Sequence, residues 1–463
     1  MTVSPAGAPA PRPHPHPAGP GRGSRGWLLG AFGLLSLVAA TAVAWFAYRQ
    51  TDSLGGAVLV LLCALLPIPV VVGSFLWIDR YEPEPSSWLA AAFAWGAVVA
   101  AGASLAVNTA VAQFTDLSFR WLATAVAPIN EEITKALFLV LLFVWFRNRV
   151  DGVLDGVIYA GLVGVGFAFS ENVLYYSGAY SGALTPDIDG PEATVGIFIV
   201  RGVFSPFTHS LFCIAFGIGI GLAASTSRRW LRRVAPPVGL LVSMGLHAAW
   251  NGSATTGAAA FFLVYGLLFL PAFVGGIAFA AVLRAQQGRV LITSLEDAAR
   301  RGWLHVDEVP WMTRFGFKRR ARTFASGIGG KPAKDAVVTY QRAVGRMGFA
   351  HDRVMRGRGG LHGVAAVAQQ LQVMRAVRPR VVLPPPIRVR PPGVLHYGGA
   401  PYGWPPPSQP PRLAPDGRPP EAPDGHVSGR RSGPHEQQRA ESDHTPVGDR
   451  RSPAQGIDKD SRR

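Results

Sequence analysis

Eight apolar runs dominate this chain, at about residues 27–48, 55–78, 87–112, 120–146, 152–176, 194–224, 235–253 and 257–283. Roughly 20 apolar residues in helical conformation cross the hydrocarbon core of a bilayer. Inside that core only helices and closed barrels satisfy their own backbone hydrogen bonds. Long apolar runs without strict alternation predict helices. The expectation is an all-α, polytopic membrane protein of about eight transmembrane helices. The sixth run is long and should tilt or break near Pro206.

Charge divides the chain in two. Residues 1–283 carry 14 Lys+Arg against 13 Asp+Glu, whereas residues 284–463 carry 31 against 15. A membrane domain therefore precedes a basic, polar extension. Four segments follow: a Pro/Gly-rich arm at 1–26, a transmembrane domain at 27–283, a partly helical cytoplasmic region at 284–377, and a Pro/Arg-rich tail at 378–463. Stretches such as VVLPPPIRVRPPG and PYGWPPPSQPPRLAP bury no core, so the tail should be disordered. The region before it should form short helices, lying on the anionic inner leaflet through their basic side chains. Positive charge of this kind is matched to anionic lipid, and no nucleic-acid-binding motif accompanies it.

Basic residues in short loops set orientation. Arg12, Arg22 and Arg25, then Arg147 and Arg149, then Arg228, Arg229, Arg232 and Arg233 all fall on one side of an eight-span arrangement. Both termini are thus expected in the cytoplasm. Cys63 and Cys213 lie in apolar runs and read as small buried hydrophobes rather than a disulfide pair.

Ionisable groups in the interiors of the runs are confined to four consecutive ones. The fourth has Glu131, Glu132 and Lys135 within APINEEITKALF; the fifth has Asp155 and Glu171, beside Asn172; the sixth has Arg201 and His209; the seventh has His247, with Asn251 four residues on. An ionisable group inside a membrane is costly and marks a functional site by default. Lys135 is three and four residues from the two glutamates and can pair with either. Successive residues point about 100° apart, so one glutamate faces a chamber while the other is held in place.

Carboxylates and histidines on neighbouring helices are equipment for activating water. A buried carboxylate serves as general base. A histidine polarises a carbonyl, protonates a leaving amine or binds a metal. An asparagine donates to an oxyanion. Bland readings exist for each residue singly. Glu131 with Lys135 makes an ion pair, a lone histidine is usually a satisfied core residue, and Asp151 and Asp155 suit a helix amino terminus. Arg201 reads as an anchor or a carboxylate partner. Their joint occurrence on adjacent helices favours chemistry.

Four motifs in order, PINEEITK, GFAFSEN at Gly166–Asn172, PFTHS at Pro206–Ser210 and HAAWN at His247–Asn251, resemble the PrsW family of intramembrane proteases. DRYEPEP at Asp79–Pro85 and DGVIY at Asp155–Tyr159 share that resemblance. It implies a bacterial plasma-membrane endopeptidase with Glu131, Glu132, His209 and His247 as its catalytic core. Lys135, Glu171, Asn172 and Asn251 would support them. It also implies regulated proteolysis of a single-pass substrate such as an anti-sigma factor. A metal such as Zn²⁺ would fall to His209, His247 and Glu171; water activated by glutamate without metal is equally compatible. No HExxH helix is present, since His435-Glu436 is followed by Arg439 where a second histidine belongs. A proton-coupled transporter or channel would use the same carboxylates and histidines as a relay, but no internal repeat supports it. An inactive scaffold acting through the Pro-rich tail is the third possibility.

Overall fold

The computed structural model describes residue 38 and residues 41–146, 149–184, 186–357 and 360–386. Among them every regular element is helical and none is a strand. After a first helix, α1 (41–51), come α2 (Leu54–Ile78), α3 (Ser86–Phe114), α4 (Ala127–Trp145), α5 (Val153–Tyr180), α6 (Gly190–Phe198), α7 (Thr208–Ser225), α8 (Arg229–Thr256) and α9 (Ala258–Arg300). Five described helices are long and apolar enough to cross a membrane: α2, α3, α5, the Gly190–Ser225 segment holding α6 and α7, and α9. The chain is an all-α polytopic membrane protein. The fourth and seventh apolar runs form α4 and α8, long helices diluted by the polar residues that interest us. Most of the first run, and the amino-terminal arm, lie outside the described residues.

The α6–α7 segment breaks at Ser205–Phe207, around Pro206, as its sequence suggests. Before the break the helix widens into a π-turn at Ile199–Phe204, which carries Arg201. A second π-turn, Leu122–Val126, leads into α4. Such insertions recur where a helix must re-aim a functional side chain.

Helix α5 is the central post. It is buried continuously from Leu154 to Phe167, which explains its all-round apolar sequence. Small residues let its neighbours come close. A Cβ added to Gly164 would lie 2.7 Å from the carbonyl oxygen of His209, so that glycine sets how near α7 approaches. The N-terminal end of α5 is capped by Asp155, whose Oδ2 accepts the backbone N–H groups of Asp151 (2.9 Å) and Gly152 (3.1 Å).

Downstream the structure corrects three expectations. The boundary at residue 284 falls inside α9, because nothing in AVLRAQQGRVLITSLEDAAR stops a helix. The following region is not a set of short surface helices. Helices α10 (Phe315–Met355, kinked at Gly329–Gly330) and α11 (Gly360–Val377) pack with the end of α9 around their own core. Leu291, Leu295, Met312, Val337, Val344 and Met347 are fully buried there. The folded region also passes residue 378, because Val381 is buried in this core and Arg378 pairs with Glu308. Residues 387–463, the bulk of the expected tail, lie outside the described residues.

Arg353 of α10 clasps the bundle to the membrane domain, donating to Glu82 (2.8 Å) and Asp151 (2.7 Å). In the Asp79–Pro85 loop, Asp79 accepts the backbone N–H of Glu84 (2.9 Å), and Glu84 accepts the hydroxyl of Tyr159 (2.7 Å). Asp79 is buried, and burial pushes its carboxyl up to about 7 from 3.8. The folded protein thus retains a proton that the unfolded chain has released. The contribution of Asp79 to stability is greatest below about pH 4 and is lost as pH rises to about 7. Unfolding midpoints measured in detergent across that interval should fall with pH, and Asp79→Asn should flatten the slope.

Candidate active site

Glu131 and Glu132 sit one turn into α4 and leave the helix in different directions, and their surroundings differ accordingly. Glu132 is fully enclosed. Lys135 donates to its Oε1 at 2.7 Å, His247 Nδ1 lies 2.9 Å from the same oxygen, and the Ser243 hydroxyl donates to Oε2 at 2.6 Å. The Cys213 thiol is 3.9 Å from Oε2. Glu132 thereby joins α4, α7 and α8 at one point.

Glu131 is as deeply placed but poorly paired. Its Oε1 accepts a long bond from the Asn108 amide (3.4 Å), while its Oε2 is buried with no hydrogen-bond partner. Asn130 fixes that amide, donating to Asn108 Oδ1 at 3.3 Å and to the Ser104 carbonyl at 3.0 Å. The orphaned Oε2 lies 3.6 Å from Lys135 Nζ and 3.7 Å from His247 Nε2.

The tautomers follow from these partners. When His247 is the neutral imidazole and its Nδ1–H donates to Glu132, its Nε2 presents a lone pair toward Glu131. His209 Nε2 is 2.5 Å from Glu171 and donates to it; its Nδ1 then presents a lone pair, 3.3 Å from Lys135 Nζ. Aromatic rings hold both imidazoles. Phe212 stacks on His247 with ring centres 4.8 Å apart, and the two histidines meet edge to face at 5.4 Å. The Lys135 ammonium also sits 3.7 Å from the centre of the Phe167 ring.

Glu171 forms an ion pair with Arg201, whose Nε donates to Asn172 Oδ1 at 2.7 Å and whose guanidinium lies over Tyr175. Among the described residues the cluster contains three carboxylates, Glu131, Glu132 and Glu171, against two cations, Lys135 and Arg201. One negative charge is left over, and it falls on Glu131. A buried surplus charge needs a proton, a cation or a strong donor beside it. Glu131, His209 and His247 offer ligand atoms within 4.8 Å of one another and could hold a metal ion.

The structure thus gathers Glu131, Glu132, Lys135, Glu171, His209 and His247 into one buried chamber. Two supporting expectations change. Glu131 rather than Glu171 joins the histidines in the potential metal trio, because Glu171 is engaged by Arg201. The Asn251 amide does not turn into the chamber; it donates to the Ala123 carbonyl (2.9 Å) and ties α8 to the π-turn before α4. Asn172 stands one step back, on Arg201.

Ser243 was not singled out from sequence, although it lies one turn before His247 on the same face of α8, a spacing that puts it beside the same carboxylate. It is fully buried. A hydrogen bond to an ionised group contributes about 1.5–3 kcal/mol. Ser243→Ala should therefore slow the site's chemistry roughly tenfold or more through looser placement of Glu132 and His247. Ser243→Thr, which keeps the hydroxyl, should recover part of it in the same kinetic assay.

Residues 84–276 match the family model described as "PrsW family intramembrane metalloprotease". The chain is 27% identical over 173 residues to Protease PrsW of Geobacillus kaustophilus (strain HTA426), covering 37% of this chain and 69% of that protein. It is 28% identical over 192 residues to Protease PrsW of Clostridioides difficile (strain 630), covering 40% and 75%. No solved structure matches. The matched residues contain every member of the chamber, and over that stretch the chain is similar to the PrsW family of intramembrane proteases.

Proposed function

We propose that this protein hydrolyses a peptide bond of a membrane-associated protein in a bacterial plasma membrane, with Glu131 as the base that activates water. The observation that carries this reading is the orphaned, buried Oε2 of Glu131, facing the free lone pair of His247. Two acceptors converging on one point call for a species with two donors, or for a cation. A water molecule meets that demand. Glu131 takes one proton from it as the oxygen attacks the carbonyl carbon. The Lys135 ammonium, held by Glu132, favours negative charge developing on the carbonyl oxygen. The carbon–nitrogen bond then breaks, the proton held by Glu131 passes to the leaving amine, and a carboxylic acid, which keeps the second water proton, and an amine remain.

The donor set also fits a metal, two imidazole lone pairs and a carboxylate being a common three-ligand arrangement for Zn²⁺. Glu131, His209 and His247 would hold it, and it would lower the pKa of bound water and polarise the carbonyl. Lys135, beside His209 Nδ1, opposes a second cation there, which makes water activated by glutamate the simpler chemistry.

The resemblance to the family supports a single-pass substrate, an anti-sigma factor being one such class. A multi-pass arrangement with both termini in the cytoplasm accords with the basic loops. Comparison of membrane-protein fragments from cells carrying the wild type or Glu131→Gln tests the function. New termini in or near a transmembrane segment should appear only with the wild type. Identical fragment sets would reject proteolysis.

A further inference from the structure

A cavity of about 1280 Å³ opens between the Asp79–Pro85 loop and α10, away from the chamber. Arg80, Lys318, Arg319, Arg322, Arg342 and Arg346 line it. Among the described residues none of these six is in an ion pair; Arg322 donates only to the neutral Gln341, at 2.7 Å. The carboxylates that also line the cavity are already engaged, Glu82 and Asp151 by Arg353, Asp79 by a backbone N–H, and Glu84 by Tyr159. Burial, and after it the positive charge of the neighbouring Arg322, push the Lys318 amine down to about 8.

One wall of this cavity is apolar and faces outward. Leu76 lines it, and Leu76 and Trp77 are both exposed at the end of α2. Arg284 stacks on Trp77 at 3.6 Å, and its guanidinium lies 5.4 Å from the ring of Phe315, which lines the cavity as well. The Nε of Arg284 is buried without a hydrogen-bond partner. The Asp79–Pro85 loop joins the ends of two helices able to cross the membrane, so the cavity stands at the level of the bilayer surface. Anionic headgroups are concentrated on the cytoplasmic leaflet.

We propose that this cavity binds the phosphate headgroup of an anionic glycerophospholipid, whose acyl chains lie along Leu76 and Trp77. The unpaired cations call for an anion, and an apolar wall continuous with a membrane-crossing helix calls for that anion to carry a tail. The site stands apart from the proteolytic reading, because its readout is binding.

The test uses the full chain, purified and delipidated in neutral detergent, with bound lipid counted by native mass spectrometry. Phosphatidylglycerol should be retained over phosphatidylcholine. Replacing both Arg342 and Arg346 by Gln should cut phosphatidylglycerol retention by about tenfold, the order expected when two basic groups near an anionic headgroup are lost. A matched control, Arg320→Gln with Lys334→Gln, removes two exposed charges that do not line the cavity and should leave retention unchanged. Equal retention of the two lipids, or equal losses in the two variants, would overturn the proposal. Displacement of the lipid by equimolar inorganic phosphate would overturn it in favour of a soluble anion, and displacement by a polyglutamate peptide in favour of an acidic chain.

Discussion

Glu132→Ala is expected to abolish activity and to lower stability by about 3–5 kcal/mol, the range for breaking one side of a buried ion pair. Three groups lose their common acceptor at once: the Lys135 ammonium, His247 Nδ1–H and the Ser243 hydroxyl. The ammonium is the costliest, since it is left fully buried with Glu131 as its remaining carboxylate, at 3.6 Å. An unfolding midpoint lowered by roughly 10 °C in detergent would correspond to that loss. Replacing Glu132 and Lys135 together by apolar residues of similar size removes both charges, so it should restore much of the stability and none of the activity. If the single and double variants were equally unstable, the cost would lie in the lost bonds from Glu132 to His247 and Ser243 on α8 and not in the unpaired ammonium.

Glu131→Gln is expected to do the opposite, leaving the fold intact and removing the chemistry. Its Oε2 has no hydrogen-bond partner to lose, and the amide can still meet Asn108. The unfolding midpoint should therefore stay within a few degrees of the wild type. A positioned general base contributes typically 10²–10⁴-fold to rate, and the cleavage rate should fall by about 10³-fold. The two adjacent glutamates are thus separated by experiment, Glu132 through stability together with activity, and Glu131 through activity alone.

How much of this was legible beforehand differs from residue to residue. Glu131, Glu132 and Lys135 are visible because charge inside an apolar run is conspicuous, and the 100° step between neighbours already requires the two glutamates to part. The bond from Ser243 to Glu132 spans 111 residues and joins two helices, so no local periodicity announces it. Asn251 misleads in the other direction. Its spacing from His247 places both on one face, but a face is wide enough for the amide to reach the Ala123 carbonyl instead. The core of the bundle made by α9, α10 and α11 is hard to see in sequence because Leu291, Leu295, Val344 and Met347 are scattered among charged residues. Their spacing by three or four is the core stripe of α9 and α10. The continuation of α9 through residue 284 was readable from the absence of any helix breaker there.

The central claim is that Glu131 activates the water that cuts the peptide bond, and reconstituted cleavage in ¹⁸O-labelled water tests it most directly. Wild type and Glu131→Gln, matched in unfolding midpoint, would be placed in the same bilayer with a substrate found by the fragment comparison. The account predicts that the wild type puts one solvent oxygen into each new carboxyl terminus and that Glu131→Gln does so about 10³-fold more slowly. Cleavage by Glu131→Gln at the wild-type rate would contradict it.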